Sequence, residues 1–125
     1  MSMVKPLNDT LSLQTYQRQV RSRFKLSWDS TSAADPTLET EIPVSIVYRL
    51  HYLARAFDCQ VAKFIVPQGS ALLDFTQVQI LISEFELVER ATSDPVSLHY
   101  LTALLPILRR SAPHPKAVLS VVSPT

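Results

Sequence analysis

Few side chains in this chain are equipped for chemistry, and their spacing narrows what they can do. His51, His99 and His114 stand far apart, and none shares an HxH, HxxxH or HExxH spacing with a second ligand. Those are the spacings that bring two imidazoles to one side of a strand or helix, so no metal site is expected. Cys59 is the only cysteine. It can form neither an internal disulfide nor a CxxC pair, and its place beside the apolar run Val61 to Val66 reads as a small buried hydrophobe. Cys59 with His99 is the one nucleophile and base pair to name, and a reactive thiol there would need an accessible, electropositive setting. Gly69 is the only glycine, which removes Walker A loops, GxGxxG fingerprints and the GxSxG elbow, all of which need backbone to approach a phosphate or turn with positive φ. No catalytic residue, metal or cofactor is therefore expected. The alternative is an enzyme whose groups converge only in three dimensions, as triad members do.

The charges are locally patterned although they cancel globally. Between Asp74 and Asp94 stand five acids, Asp74, Glu84, Glu86, Glu89 and Asp94, against Arg90 alone. Glu86 and Arg90 are spaced for an i, i+4 pair on a helix. The remaining acids form either a solvated face or a docking surface for a basic partner, in which complementary charge speeds association and exposed aromatics such as Tyr48, Tyr52 or Tyr100 supply affinity. A second pattern is the basic ladder Arg18, Arg21, Arg23 and Lys25, interleaved with Tyr16, Phe24 and Trp28. It suggests phosphate contacts plus base stacking on single-stranded nucleic acid. Phe24 and Trp28 fall on the opposite face of a strand from the cations, so charge and stacking point apart, and a charged strand that resists edge pairing is the favoured reading.

The elements that would hold these residues follow from periodicity. Gln19 to Trp28 alternates between polar and apolar, the period of a half-buried strand. A helix from Ser12 to Phe24 competes, since Leu13, Tyr16, Val20 and Phe24 also fit helical spacing. Asp29 to Glu41 is rich in Ser, Thr, Asp and Pro, whose side chains compete for backbone hydrogen bonds and favour a loop. Beyond Pro43, the residues Ile46, Val47, Leu50, Leu53, Ala54 and Phe57 make an amphipathic helix. The run Gln60 to Val66 is short, β-branched and bounded by Pro67 and Gly69, which predicts a strand. Asp74 opens a second helix with Phe75, Val78, Leu81, Ile82, Phe85 and Val88 as its apolar stripe. Asp94-Pro95 is an N-cap and N1 pair for a third helix that turns Leu98, Leu101, Leu105 and Leu108 inward, with Pro106 expected to kink it. Ala117 to Val122 reads as a closing strand. The expected fold is a single α/β domain over residues 1–125, with a small three-stranded sheet covered by three helices in the order β-α-β-α-α-β, and with residues 1–10 fraying.

Composition bounds the rest. With 46% hydrophobic and 18% charged residues, the chain is too apolar for intrinsic disorder. Its formal charge of +1 supplies no global field for nucleic acid or an anionic membrane. Residues 1–30 hold no apolar run of secretory length, and the stretch from Pro95 to Leu108 falls short of the roughly 18 residues that span a bilayer. A cytoplasmic protein with no membrane partner is expected.

Leu73-Asp74-Phe75, then Leu81 and Glu84-Phe85-Glu86-Leu87, then Asp94-Pro95 and the leucine helix to Arg110, closed by a short strand, together resemble the small cytosolic immunity proteins of bacterial toxin systems. The resemblance covers residues 73–122. It implies a compact, non-enzymatic domain that binds a cognate toxin stoichiometrically and blocks it. No defining motif is matched, so no residue role carries over.

Overall fold

The computed structural model describes residues 19–28 and 36–124. The fraying expected of residues 1–10, and the helix expected to begin at Ser12, fall on residues outside that range. Within it, the alternation of Gln19 to Trp28 becomes strand β1, Arg21–Ser27, and not the end of a helix. Ser22, Phe24 and Leu26 are buried on its inner face. A short 3-10 turn, Pro36–Leu38, leads into β2, Glu39–Pro43, followed by helix α1, Val44–Ala56. A second 3-10 turn, Ala62–Phe64, precedes β3, Ala71–Leu73. Then come helix α2, Phe75–Ala91, helix α3, Pro95–Arg109, and strand β4, Val118–Val122.

The strands form one antiparallel sheet in the order β2-β1-β4-β3. Among the described residues four strands stand where three were expected, and two of the expected boundaries are corrected. Gln60 to Val66 is not a strand. Its backbone N–H groups at Gln60, Val61 and Ala62 all donate to the Glu84 carboxylate, which removes them from any ladder, and Val61, Ala62 and Ile65 are buried from a turn. The Ser/Thr/Asp-rich loop, in turn, ends earlier than expected. Glu39 to Pro43 pairs with β1, placing Glu39 opposite Lys25 and Glu41 opposite Arg23. Opposite charges across strands stabilise such pairs modestly. The three-residue β3 is too short to carry a readable period.

The helices start where their caps dictate. Asp74 accepts from the Gln77 backbone N–H at 2.9 Å while the Gln77 side chain accepts from the Asp74 N–H at 2.9 Å, a reciprocal capping box. Asp94 caps α3 by accepting from Val96 N at 3.1 Å, with Pro95 in the first turn. Pro106 does not end α3, which continues to Arg109. Phe57, expected on the inner stripe of α1, is instead its exposed C-cap residue. All three helices cover the sheet face that presents Phe24, Leu26, Leu119 and Val121, and the core between them holds Leu81, Phe85, Leu101, Leu104 and Leu105. Among the described residues no helix is long and apolar enough to cross a membrane.

Ser22 is a flaw in this core. It is fully buried, and its hydroxyl has no hydrogen-bond partner among the described residues. A buried, unmade hydrogen bond costs about 1–3 kcal/mol. Ser22→Ala is therefore expected to raise stability by roughly 1 kcal/mol in chemical denaturation, and a loss of stability would show that the hydroxyl is satisfied.

Candidate partner-binding surface

Helix α1 turns two faces outward and inward with little ambiguity. Ile46, Val47, Leu50 and Ala54 are buried against the core. On the opposite side, at the spacings that bring side chains one above another along a helix, stand Val44, Tyr48, Tyr52 and Arg55. Tyr48 is 64% and Tyr52 71% exposed. An exposed tyrosine offers a large, rigid apolar area with a polar tip and loses little conformational entropy on binding. Two of them one turn apart make the most prominent apolar feature of this helix.

The chain on either side of α1 shapes the ground around them. Val44 N donates to Val20 O at 3.1 Å, and the Gln19 Oε1 accepts from the Ser45 hydroxyl at 2.6 Å and from Ser45 N at 3.4 Å. These bonds dock the start of β1 beside the N-terminus of α1, where Pro43 has no side chain to cap it. At the other end the helix is closed by Cys59 N donating to Ala54 O at 2.8 Å, with Asp58 turned into the left-handed region at φ 56°. The segment after it then runs back along α1. Its Pro67 returns to the Tyr48 end and is held by the Ser123 hydroxyl at 3.0 Å. Between these elements lies a groove of about 430 Å³ lined by Val20, Val44, Tyr48, Pro67, Gln68 and Pro124. Phe64, on the returning segment, is 65% exposed. Reading residues 60–66 as a strand hid it, because a strand interior would have buried it on one face.

The returning segment is anchored by Glu84 of α2, whose carboxylate accepts from Val61 N at 3.0 Å and Ala62 N at 2.8 Å as well as from Gln60 N. Three successive amides converging on one carboxylate make the kind of concavity that holds anions. Beneath it, burial pushes the Cys59 thiol up, with the charges of Glu84 and Asp58 adding to the effect. That is the reverse of what a nucleophile paired with His99 needs, and Cys59 behaves as the small buried hydrophobe its sequence context implied.

The acids of residues 74–94 are distributed among structural tasks. Asp74 is spent in the capping box and Glu84 on the amides. Glu86 pairs with Arg109 of α3 at 2.9 Å, a tertiary contact in place of the local one expected with Arg90. Asp94 accepts from the Ser97 hydroxyl at 2.5 Å and lies 3.4 Å from the Arg49 guanidinium. Glu89, half-buried on α2, has no partner among the described residues. Tyr100 is 7% exposed and stands edge-on to His99, so it is a core residue and not the exposed anchor it was expected to be.

The basic ladder behaves as its period required. Arg21, Arg23 and Lys25 occupy the outer face of β1, and Arg18 lies outside the described residues. Arg23 is engaged by Glu39 at 3.5 Å and Glu41 at 3.9 Å. Phe24 is buried on the other face, and Trp28 stacks on His114 with ring centroids 3.8 Å apart. Among the described residues the cations and aromatic rings of β1 thus point away from one another, and Tyr16, like Arg18, lies outside them.

No protein-family model matches the chain and no curated protein is significantly similar to it. Among solved structures it is similar to the Neisseria DNA mimic protein DMP12. That likeness has a TM-score of 0.49 and 13% sequence identity, over 80% of this chain and 97% of that one.

Proposed function

We propose that this protein acts by binding a partner protein stoichiometrically and inhibiting it, without chemistry of its own, and that Tyr48 and Tyr52 are its principal contacts. The observation that carries this reading is the pair of tyrosines, more than half exposed and one turn apart on α1, of which Tyr48 borders an apolar groove. Aromatic residues in such settings supply most of the affinity of protein interfaces. In its narrower form, suggested by the resemblance of residues 73–122, the protein is an immunity protein and the partner a bacterial toxin whose active site is occluded in the complex. Asp74, Glu86 and Glu89 keep part of their carboxylate surface toward solvent and would set the association rate. Glu84 and Asp94 would contribute through the elements they hold in place.

The test is co-expression with the product of the adjacent reading frame, followed by calorimetric titration of the purified pair. A one-to-one complex is expected, with binding weakened at least a hundredfold by Tyr48→Ala and Tyr52→Ala together, the scale of a double hot-spot loss. The unchanged circular dichroism of that variant would separate lost contacts from lost fold. If the partner binds the double variant as tightly as the parent, the α1 tyrosines are not the contact. If instead nucleic acid co-purifies through a salt wash and Arg21→Glu with Arg23→Glu releases it, the basic-strand reading replaces this one.

A further inference from the structure

The tyrosine face carries an excess of positive charge. Residues 44–65, which build it, include Arg49, Arg55 and Lys63 against Asp58 as the single acid. Arg49 is occupied by Asp94. Arg55 and Lys63 have no acidic partner among the described residues, and the Lys63 ammonium stands 5.6 Å over the ring of Phe64. Glu84, the α2 carboxylate that reaches this segment, is directed into the amides of residues 60–62. Asp58 is exposed at the C-terminal end of α1 and offsets one of these cations, so the uncommitted charge of residues 44–65 is cationic in excess, Arg55 and Lys63 against Asp58, whereas the groove at the Tyr48 end is lined by no charged residue.

From this we infer that the face receives an acidic segment of the partner protein in extended form, with an apolar side chain in the groove beside Tyr48 and a carboxylate at Arg55 and Lys63. The inference rests on the binding role proposed above and adds the chemistry of what is bound. Its spacing is fixed by the helix. Tyr48 and Arg55 are separated by roughly 10 Å at about 1.5 Å per residue, a distance an extended peptide covers in about three residues. The recognised pattern is thus an aromatic or aliphatic residue followed or preceded, about three positions away, by Asp or Glu. Carboxylate recognition by Arg also gives orientation, because the guanidinium fork and the carboxylate match geometrically.

The experiment selects a random dodecapeptide display library on the intact, immobilised protein, then measures the affinity of enriched peptides, synthesised singly, for the parent and for variants. Enrichment of apolar residues with Asp or Glu at that spacing is expected. Arg55→Glu with Lys63→Glu should weaken binding tenfold or more, as should Tyr48→Ala, while Arg21→Glu on the outer sheet face should leave it unchanged. Enrichment of basic peptides, no enrichment of acids over the unselected library, or affinity indifferent to Arg55→Glu and Lys63→Glu would overturn the inference. So would retention of single-stranded oligothymidylate that depends on Arg55 and Lys63, since the site would then read phosphates. If the co-expressed partner is lost on Tyr48→Ala and Tyr52→Ala but bound normally by the Arg55→Glu and Lys63→Glu variant, the binding role stands and the acidic-segment inference falls.

Discussion

Leu101→Ala is expected to destabilise the protein by about 2–5 kcal/mol, the range found when a fully buried leucine is truncated and its surroundings collapse only partly. Leu101 is 0% exposed on α3, in the same core as Leu81, Phe85 and Leu105, where α2 and α3 pack side by side. A domain of this kind has only about 5–15 kcal/mol of stability in total, so the variant should melt many degrees lower and unfold at markedly lower denaturant. Leu101→Met, which preserves volume and hydrophobicity, should cost less than about 1.5 kcal/mol. Equilibrium unfolding in urea measures both. A Leu101→Ala loss under about 1 kcal/mol would place this side chain at the surface, where substitutions have small effects, and the packing of the two long helices would need to be redrawn.

Glu84→Ala should have the next largest effect, about 2–3 kcal/mol, because hydrogen bonds to a charged acceptor contribute more than neutral ones and three amides lose theirs together. The cost is held below the sum of the three because the Gln60 end is exposed and water can replace part of what is lost. Glu84→Gln keeps the reach and one carbonyl oxygen, and should recover about half of the loss. A second readout follows from Cys59. Both variants remove a negative charge that raises its thiol, so the thiol should ionise more readily, and Glu84→Ala should in addition open the segment that covers it. Thiol labelling under native conditions is expected to quicken in the order parent, Glu84→Gln, Glu84→Ala. Equal labelling in all three would mean that residues 60–62 stay in place without the carboxylate.

That role of Glu84 also shows where sequence reasoning reached and where it stopped. The caps at Asp74 and Asp94, the stripes of the two long helices and the alternation of β1 are local signals, set by neighbours within a turn or two. The structure follows them closely. Gln60 to Val66 has the composition of a strand, and what overrides it is a carboxylate from a distant helix that takes its amides. A tertiary contact of that kind leaves no mark in a window of seven residues. Glu39 to Pro43 failed in the opposite way, since Thr and Glu read as loop residues until β1 lies beside them with Arg23 and Lys25 in register. The proposed contact surface was legible in part. Tyr48 and Tyr52 were recognisable because a helical wheel separates them from the core, whereas Phe64 and the groove depend on a chain reversal that has no periodic signature.

The strand order carries a consequence for how the molecule is made. β1 sits in the middle of the sheet, and its second neighbour is β4, which aligns Arg23 with Val122 and Leu26 with Leu119. During synthesis the β1–β2 hairpin and the α2–α3 pair can form as they emerge, since their contacts are short-range. The central ladder cannot close until β4 has left the ribosome, and until then one side of β1 offers unpaired backbone groups to any extended chain nearby. Nascent chains stalled before Val118 should therefore be recognised by holdase chaperones and be sensitive to protease, while chains extended by a linker long enough to clear the exit tunnel should resist both.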